Sequence, residues 1–290
     1  MITLHDDTAV IEIRDDERLL LRYVYQSQMD ADLSSRPYLH PVNTLGGVTV
    51  TDVQPADHRW HMGISFAIPD VSATNFWGGP TYVSGKGYTG LDDHGRVVNI
   101  DWQHQQADTA TATLAHTLHW HAHDGATIIH ECRQLDMELL PNENAYALTF
   151  LITLLNVTAA DLRFASPAAN GEPNGIGYGG LFWRGAPSFL NGRIISEQGE
   201  GEVLRGSRSD WLGYASPNAS LLFVDHRANP TYPTPWFVRN QQYPGVCFSL
   251  AAPRAYLLPP HTPLTLRHTI LIADGTMDGA AFAERYNRLA

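Results

Sequence analysis

The sequence predicts an all-β sandwich, and three observations carry that prediction. Short runs alternate apolar and polar residues at the period of a strand over nearly the whole chain. Gly, Pro, Asn and Asp separate those runs, which is the chemistry of turns. Only the segment 277–289 reads as a helix, with Ala280, Phe282, Ala283, Tyr286 and Leu289 sharing one face.

Taken in order, the first strands are 9–14 and 19–25, joined as a hairpin through Asp15-Asp16-Glu17. Further strands are expected over 47–52, 61–68, 97–104, 111–122, 127–140, 145–156, 220–224, 236–239, 246–250 and 264–272. Asp274-Gly275 ends the last of them before the helix begins. Many short strands with no linker and no internal repeat indicate one domain over residues 1–290.

Composition narrows the function. The chain has 290 residues, with 30 Asp plus Glu against 19 Lys plus Arg, for a net charge of −11. Lys86 is its sole lysine. Such a chain has no electrostatic footprint for nucleic acid or an anionic membrane. A hydrophobic content of 43% is that of a globular protein rather than a disordered one. Cys132 and Cys247, far apart, suit neither a disulfide framework nor a zinc knuckle. No stretch approaches the roughly 20 apolar residues of a membrane span, and the first residues lack a basic start and apolar run. A cytoplasmic protein is expected.

Fourteen histidines are the unusual feature. In the segment 118–133, Asp124-Gly125 reads as a two-residue turn between two strands. That register pairs His123 with Ala126, His121 with Ile128 and His119 with His130. One face then carries His119, His121, His123, His130 and Cys132, which reads as a solvated face in preference to a metal cluster. The other face sets Glu131 and Arg133 among Leu118, Trp120 and Ile129. An acid on an apolar face is either paired or lines a cavity, which makes Glu131 a candidate catalytic residue.

Three groups of loops concentrate polar and aromatic residues. The first comprises 36–42, 57–63 and 75–79; the second is the glycine-rich 170–184; the third is the proline-stiffened 225–239. Trp and Tyr beside Arg, Asn and Asp are what a sugar site needs, since aromatic faces stack on sugar C–H groups while planar polar groups take hydroxyls. His58 and His61 are the candidate acid–base pair, with Asp57 orienting one imidazole. On a regular strand His58 would point away from Asp57 and His61, so their convergence requires a loop conformation. Arg36, His40, Asn75, Trp77, Tyr178, Arg184, Asp225, Trp236 and Arg239 are the expected substrate-binding residues. A two-carboxylate glycosidase would have to draw on Glu131 with Asp57 or Asp225. The glycine-rich stretch is no dinucleotide fingerprint, because no helix follows it. No cofactor and no metal ligand set is predicted.

The runs Arg36-Pro-Tyr-Leu-His-Pro, Asp57-His-Arg-Trp-His-Met-Gly, Asn75-Phe-Trp-Gly-Gly, Gly177-Tyr-Gly-Gly-Leu-Phe-Trp-Arg and Pro235-Trp-Phe-Val-Arg resemble a bacterial domain-of-unknown-function family often labelled "methane oxygenase PmoA-like". The resemblance covers most of the chain and implies a galactose-mutarotase-like β-supersandwich with a short C-terminal helix. In sugar mutarotases of that architecture, a His before a Gly, a second His near a Tyr-Phe run and a late carboxylate carry the chemistry. His61 with Gly63 matches the first; no His stands near Tyr178 and no carboxylate stands over 246–249. The expected function is therefore a carbohydrate-active enzyme acting on a sugar, glycoside or oxidised (keto) sugar by His-mediated general acid–base catalysis, through hydrolysis, elimination or epimerisation. The alternatives are a non-catalytic sugar-binding or sensing protein on the same fold, and a His-rich metalloprotein. The expected partner is a small-molecule carbohydrate.

Overall fold

The computed structural model describes residues 1–289. Two large antiparallel sheets face each other across an apolar core, as the predicted sandwich requires. The eight-stranded sheet runs in the order Ile2–Asp6, Val10–Asp15, Arg18–Val24, Tyr38–Val42, Ile64–Ala67, Gly180–Arg184, Gly245–Phe248, Trp236–Arg239. The nine-stranded sheet runs Gly199–Glu200, Arg193–Ser196, Trp211–Ala215, Ala219–Asp225, Pro263–Asp274, Ala145–Asn156, Thr127–Leu140, Thr111–His121, Arg96–Ala107. One continuous cluster of buried side chains, from Ile11 and Leu20 on the first sheet to Leu148 and Ile270 on the second, fills the space between them.

The helix is Gly279–Leu289 and starts two residues later than predicted. Asp278 caps it, accepting a bond of 2.9 Å from the Ala281 amide. Phe282 seats it on the outer face of the nine-stranded sheet, against Trp211, Leu222 and Leu271. Residues 47–52 form no strand, only single bridges from Thr49 to Asn43 and Thr51 to Gly185. The strand expected over 61–68 shortens to Ile64–Ala67. Trp211–Ala215 escapes the alternation rule because it is buried on both faces.

At the histidine hairpin, His119 pairs with His130 as predicted. A bulge after Trp120 then sets His121 opposite Thr127 rather than Ile128. His119 and His130 stack with ring centres 4.0 Å apart on the outward face, where His130 and Cys132 are exposed. The inward face holds a chain of buried polar groups. Glu131 accepts from Trp120 Nε1 at 2.7 Å and from Arg133 Nε at 2.6 Å. Arg133 donates onward to the Tyr23 hydroxyl at 3.4 Å, which donates to His116 Nε2 at 2.8 Å. His116 Nδ1 in turn donates to Asn99 Oδ1 at 2.7 Å. This chain uses both His116 nitrogens with a single ring proton, so the imidazole is neutral.

Burial, reinforced by the Arg133 charge, pushes the His116 pKa down to about 2. Below its ordinary value the unfolded chain takes up a proton that the folded chain refuses, so stability falls as pH falls. The slope from this one group is about 1.4 kcal/mol per pH unit. We expect unfolding free energies measured in urea at about pH 7 and about pH 5 to differ less in His116→Gln than in the parent protein. Equal differences in the two proteins would contradict this role for His116.

Candidate active site

Strand parity decides which side chains reach the outer face of the eight-stranded sheet. Along Gly180–Arg184, Leu181 and Trp183 enter the core between the sheets, and Phe182 and Arg184 point the other way. Along Trp236–Arg239, Trp236 and Val238 point in, while Phe237 and Arg239 point out. On that outer face Phe182, Phe237, Cys247 and Ala67 form the floor of a second apolar cluster, with Trp77 and Tyr243 above them. An open cleft of about 330 Å³ lies over this floor.

Two loops make its walls. Residues 54–63 are wound into successive turns, with the His58 amide bonded to Pro55 O and the His61 amide to His58 O. Those turns bring His58 and His61 to one side and stack them, ring centres 4.6 Å apart and 14° from parallel. Gly63 is required where the loop rejoins the sheet: its φ is +40°, and a Cβ there would lie 2.0 Å from the Leu39 carbonyl oxygen. The second loop is organised by Asn75. Its Oδ1 accepts from the Trp77 and Gly78 amides at 2.8 and 2.9 Å, and its Nδ2 donates to Gly79 O and Thr81 Oγ1. Trp77 is thereby presented to the cleft, edge-on to His61 and tilted against Tyr178.

Arg184 joins the two histidines to the sheet. Its Nη2 donates to both oxygens of Asp57 at 2.9 and 3.1 Å, and its Nη1 donates to His61 Nδ1 at 3.2 Å. The Tyr243 ring covers the guanidinium at 4.5 Å. His58 Nδ1 bonds the other side of Asp57 at 2.8 Å. These bonds assign the protons. A guanidinium only donates, so His61 Nδ1 accepts and Nε2 carries the hydrogen of the neutral ring. A carboxylate only accepts, so His58 Nδ1 carries the hydrogen and the lone pair of the neutral ring is on Nε2.

Electrostatics preserves this arrangement. Burial pushes the His61 pKa well below its ordinary value, and the neighbouring His58 and Arg184 push it the same way. Burial raises the Asp57 pKa, but the bond from His58 and the Arg184 charge outweigh it and hold the carboxyl below its ordinary value. Burial raises Tyr178 well above the usual tyrosine range and Tyr243 to about 12, so both hydroxyls keep their protons.

Of the expected site residues, Asp57, His58, His61, Trp77, Tyr178, Arg184 and Arg239 lie together at this cleft. The other predicted residues do not. Glu131 is sealed in the core by Trp120 and Arg133. Asp225 belongs to the nine-stranded sheet, where the Thr234 amide, Asn229 and His268 enclose its carboxylate. Trp236 points inward onto Phe248, three residues and one change of face from Arg239. Arg36 is buried and spends its guanidinium on Leu33 O, Ser34 O, Trp60 O and Ser65 Oγ, which anchors the Trp60 loop. His40 bonds Thr51 Oγ1 and is not among the cleft-lining residues, and Asn75 acts on its loop rather than on the cleft wall.

Trp60, Tyr88, Ile176, Phe237, Gln242 and Tyr243 line the cleft without having been predicted. Phe237 follows from Arg239 by parity. Tyr243 stands in the Gln241-Gln242-Tyr243-Pro244 segment just beyond Arg239, whose turn-forming proline was the available signal. Among the described residues no three His, Cys, Asp or Glu side chains are grouped to hold a metal ion. No helix among them is long and apolar enough to cross a membrane.

Glu131 and His58 should separate by stability. Glu131→Ala leaves Arg133 buried without its partner and is expected to cost about 3–5 kcal/mol in urea unfolding. His58→Ala, on a half-exposed turn, should cost under about 1 kcal/mol. Similar losses for the two variants would contradict the placement of Glu131 in a sealed network.

Comparison with known proteins adds the following. No curated protein matches the chain in sequence. Among solved structures it is similar to galactose 1-epimerase from Lactobacillus acidophilus NCFM, with a TM-score of 0.41, 10% identity, and coverage of 95% of this chain and 98% of that one. It is also similar to a galactose mutarotase related enzyme from Lactobacillus acidophilus, with a TM-score of 0.31, 12% identity, and coverage of 96% and 100%. A heparinase III gene product aligns with a TM-score of 0.42 and 8% identity over 95% of this chain, which spans only 36% of that protein's length. The model of a family of unknown function, DUF6807, matches residues 10–287. The chain belongs to that family.

Proposed function

We propose that this protein is a carbohydrate-active enzyme that moves protons on a bound sugar, with His58 as general base and His61 as hydrogen-bond donor. The observation that carries this reading is the pair of stacked rings at the cleft wall whose Nδ1 atoms meet opposite partners, a carboxylate at His58 and a guanidinium at His61. His58 offers a lone pair at Nε2 and His61 offers a hydrogen at Nε2, so one wall presents an acceptor and a donor side by side. Asp57 orients His58 and stabilises the imidazolium formed when it takes a proton. The depressed His61 pKa keeps that ring neutral, so it donates to developing negative charge without competing for the proton.

The remaining walls suit a sugar. Trp77, Tyr178 and Tyr243 offer aromatic faces for C–H groups, and Gln242, Tyr88 and Arg239 offer polar groups for oxygens. The cleft volume is near the lower end of the usual small-molecule range of about 300–1,000 Å³. No carboxylate stands among the described residues lining the cleft, and Asp57 is held by Arg184 and His58. A two-carboxylate glycosidase mechanism is therefore set aside in favour of epimerisation or elimination.

Incubating the protein with a panel of sugars and 3-keto sugars in D₂O, followed by NMR, tests the proposal. Transformation or deuterium uptake at a ring carbon is expected. His58→Asn should slow it by about 10²–10⁴-fold, the usual worth of a general base. A sugar that binds in calorimetry and is never transformed or exchanged would instead favour a non-catalytic binding protein.

A further inference from the structure

The cleft contains a cation, Arg239, that meets the Phe237 ring face at 5.8 Å but no carboxylate among the described residues. Arg239 is half-buried at its wall, its Nε is sealed from solvent without a hydrogen-bond partner, and no ion pair engages its guanidinium among the described residues. Three more deeply buried guanidiniums, of which Arg133 Nη2 and Arg184 Nε also lack a partner, are nonetheless each held by oxygen acceptors. Arg36 bonds carbonyl and hydroxyl oxygens, Arg133 pairs with Glu131, and Arg184 pairs with Asp57. A partly desolvated charge is costly unless an opposite charge meets it, and in a chain of net charge −11 the described residues lining the cleft supply no carboxylate to do so.

We propose that the cleft takes an acidic sugar, a uronide, whose carboxylate pairs with Arg239; this rests on the acid–base reading of His58 and His61. A carboxylate suits the site better than a phosphate. One planar guanidinium satisfies a monoanion bidentately, whereas a phosphate dianion calls for more donors, and the lining contains no lysine and no helix N-terminus. The aromatic neighbours and Gln242 then meet the neutral part of the ring.

Pairing the carboxylate with Arg239 also acidifies the hydrogen on the carbon beside it, C5. His58 Nε2 takes that proton, and the C5–H electron pair becomes the C4=C5 double bond. The C4–O4 bond breaks with its electrons on O4, and the same proton passes from His58 to O4. His61 Nε2–H bonds O4 while its charge builds. The step needs no oxidant, reductant or co-reactant. It follows from the two imidazoles sharing one wall, 4.6 Å apart, which addresses a hydrogen and a leaving oxygen on the same face of the sugar. Epimerisation by two groups would need them on opposite faces.

The test uses three probes: a 4-O-linked uronide disaccharide, the same disaccharide with its carboxyl reduced to an alcohol, and a hexose 6-phosphate. Calorimetry on His58→Asn, which blocks turnover, should show the uronide binding at least about tenfold tighter than either comparison sugar. Arg239→Gln in that background should erase the preference, and Arg239→Lys should restore part of it, with thermal melting verifying the fold of each variant. With His58 intact, the uronide should give the ultraviolet-absorbing C4=C5 product. Equal affinity for acid and alcohol, a preference that survives Arg239→Gln, or tighter binding of the phosphate would overturn the proposal. His58-dependent turnover of the neutral sugar alone would overturn it too, while leaving the acid–base reading in place. Arg239-dependent binding of a uronide that is never transformed would support the carboxylate pairing and overturn the elimination step together with the acid–base reading.

Discussion

Arg184 is the residue on which the site depends, because it ties a surface loop to the sheet and sets the state of two histidines at once. Its backbone lies in a central strand, so its position is fixed by the strands paired on either side. From there it holds Asp57 with one nitrogen and His61 with another. The first contact keeps the carboxylate ionised, and that carboxylate fixes the ring of His58. The second forces the hydrogen of His61 onto the nitrogen not bonded to Arg184. Two chemically identical side chains are thus made complementary by their partners, in the way that neighbouring groups set acid and base roles elsewhere.

The same protein buries charge in two quite different ways, and the distinction separates structure from function. Glu131, Arg133, Tyr23 and His116 form a sealed chain in which nearly every donor has an acceptor. Such a chain specifies the packing of two sheets and offers nothing to a ligand. Arg239 is the opposite case, since it is partly desolvated and meets an aromatic ring but no carboxylate among the described residues. Perturbed or buried charged groups cluster at sites and at structural pairs alike, and what separates the two is whether the bonds close among themselves.

Much of the site could be read in the sequence because loop segments dense in His, Arg and Trp are rare in a strand-rich chain. Asp57, His58 and His61 were legible from their types and their company, and the need for a turn between them was legible from strand parity. The errors share one origin. Trp236 and Arg239 are close along the chain, yet odd spacing on a strand sends them to opposite faces. Glu131 was ambiguous for a related reason: its apolar face was correctly read, but only the opposing sheet, with Tyr23, shows that the face is closed. Asp225 opens the same loop-rich segment that ends at Arg239, but it closes the strand Ala219–Asp225 of the other sheet.

The sequence by itself determined the class of the fold and the kinds of chemistry available. Period-two alternation and turn residues act over a few neighbours and need no distant partner to be recognised. The tertiary structure alone decided which of those residues meet. Phe182, Phe237 and Tyr243 converge because strands far apart in sequence pair side by side. The tautomers of His58 and His61 were decided there too, since Arg184 lies 123 residues from His61 along the chain and only sheet pairing brings them together. A hydrogen bond depends on position in space, and no local pattern encodes that.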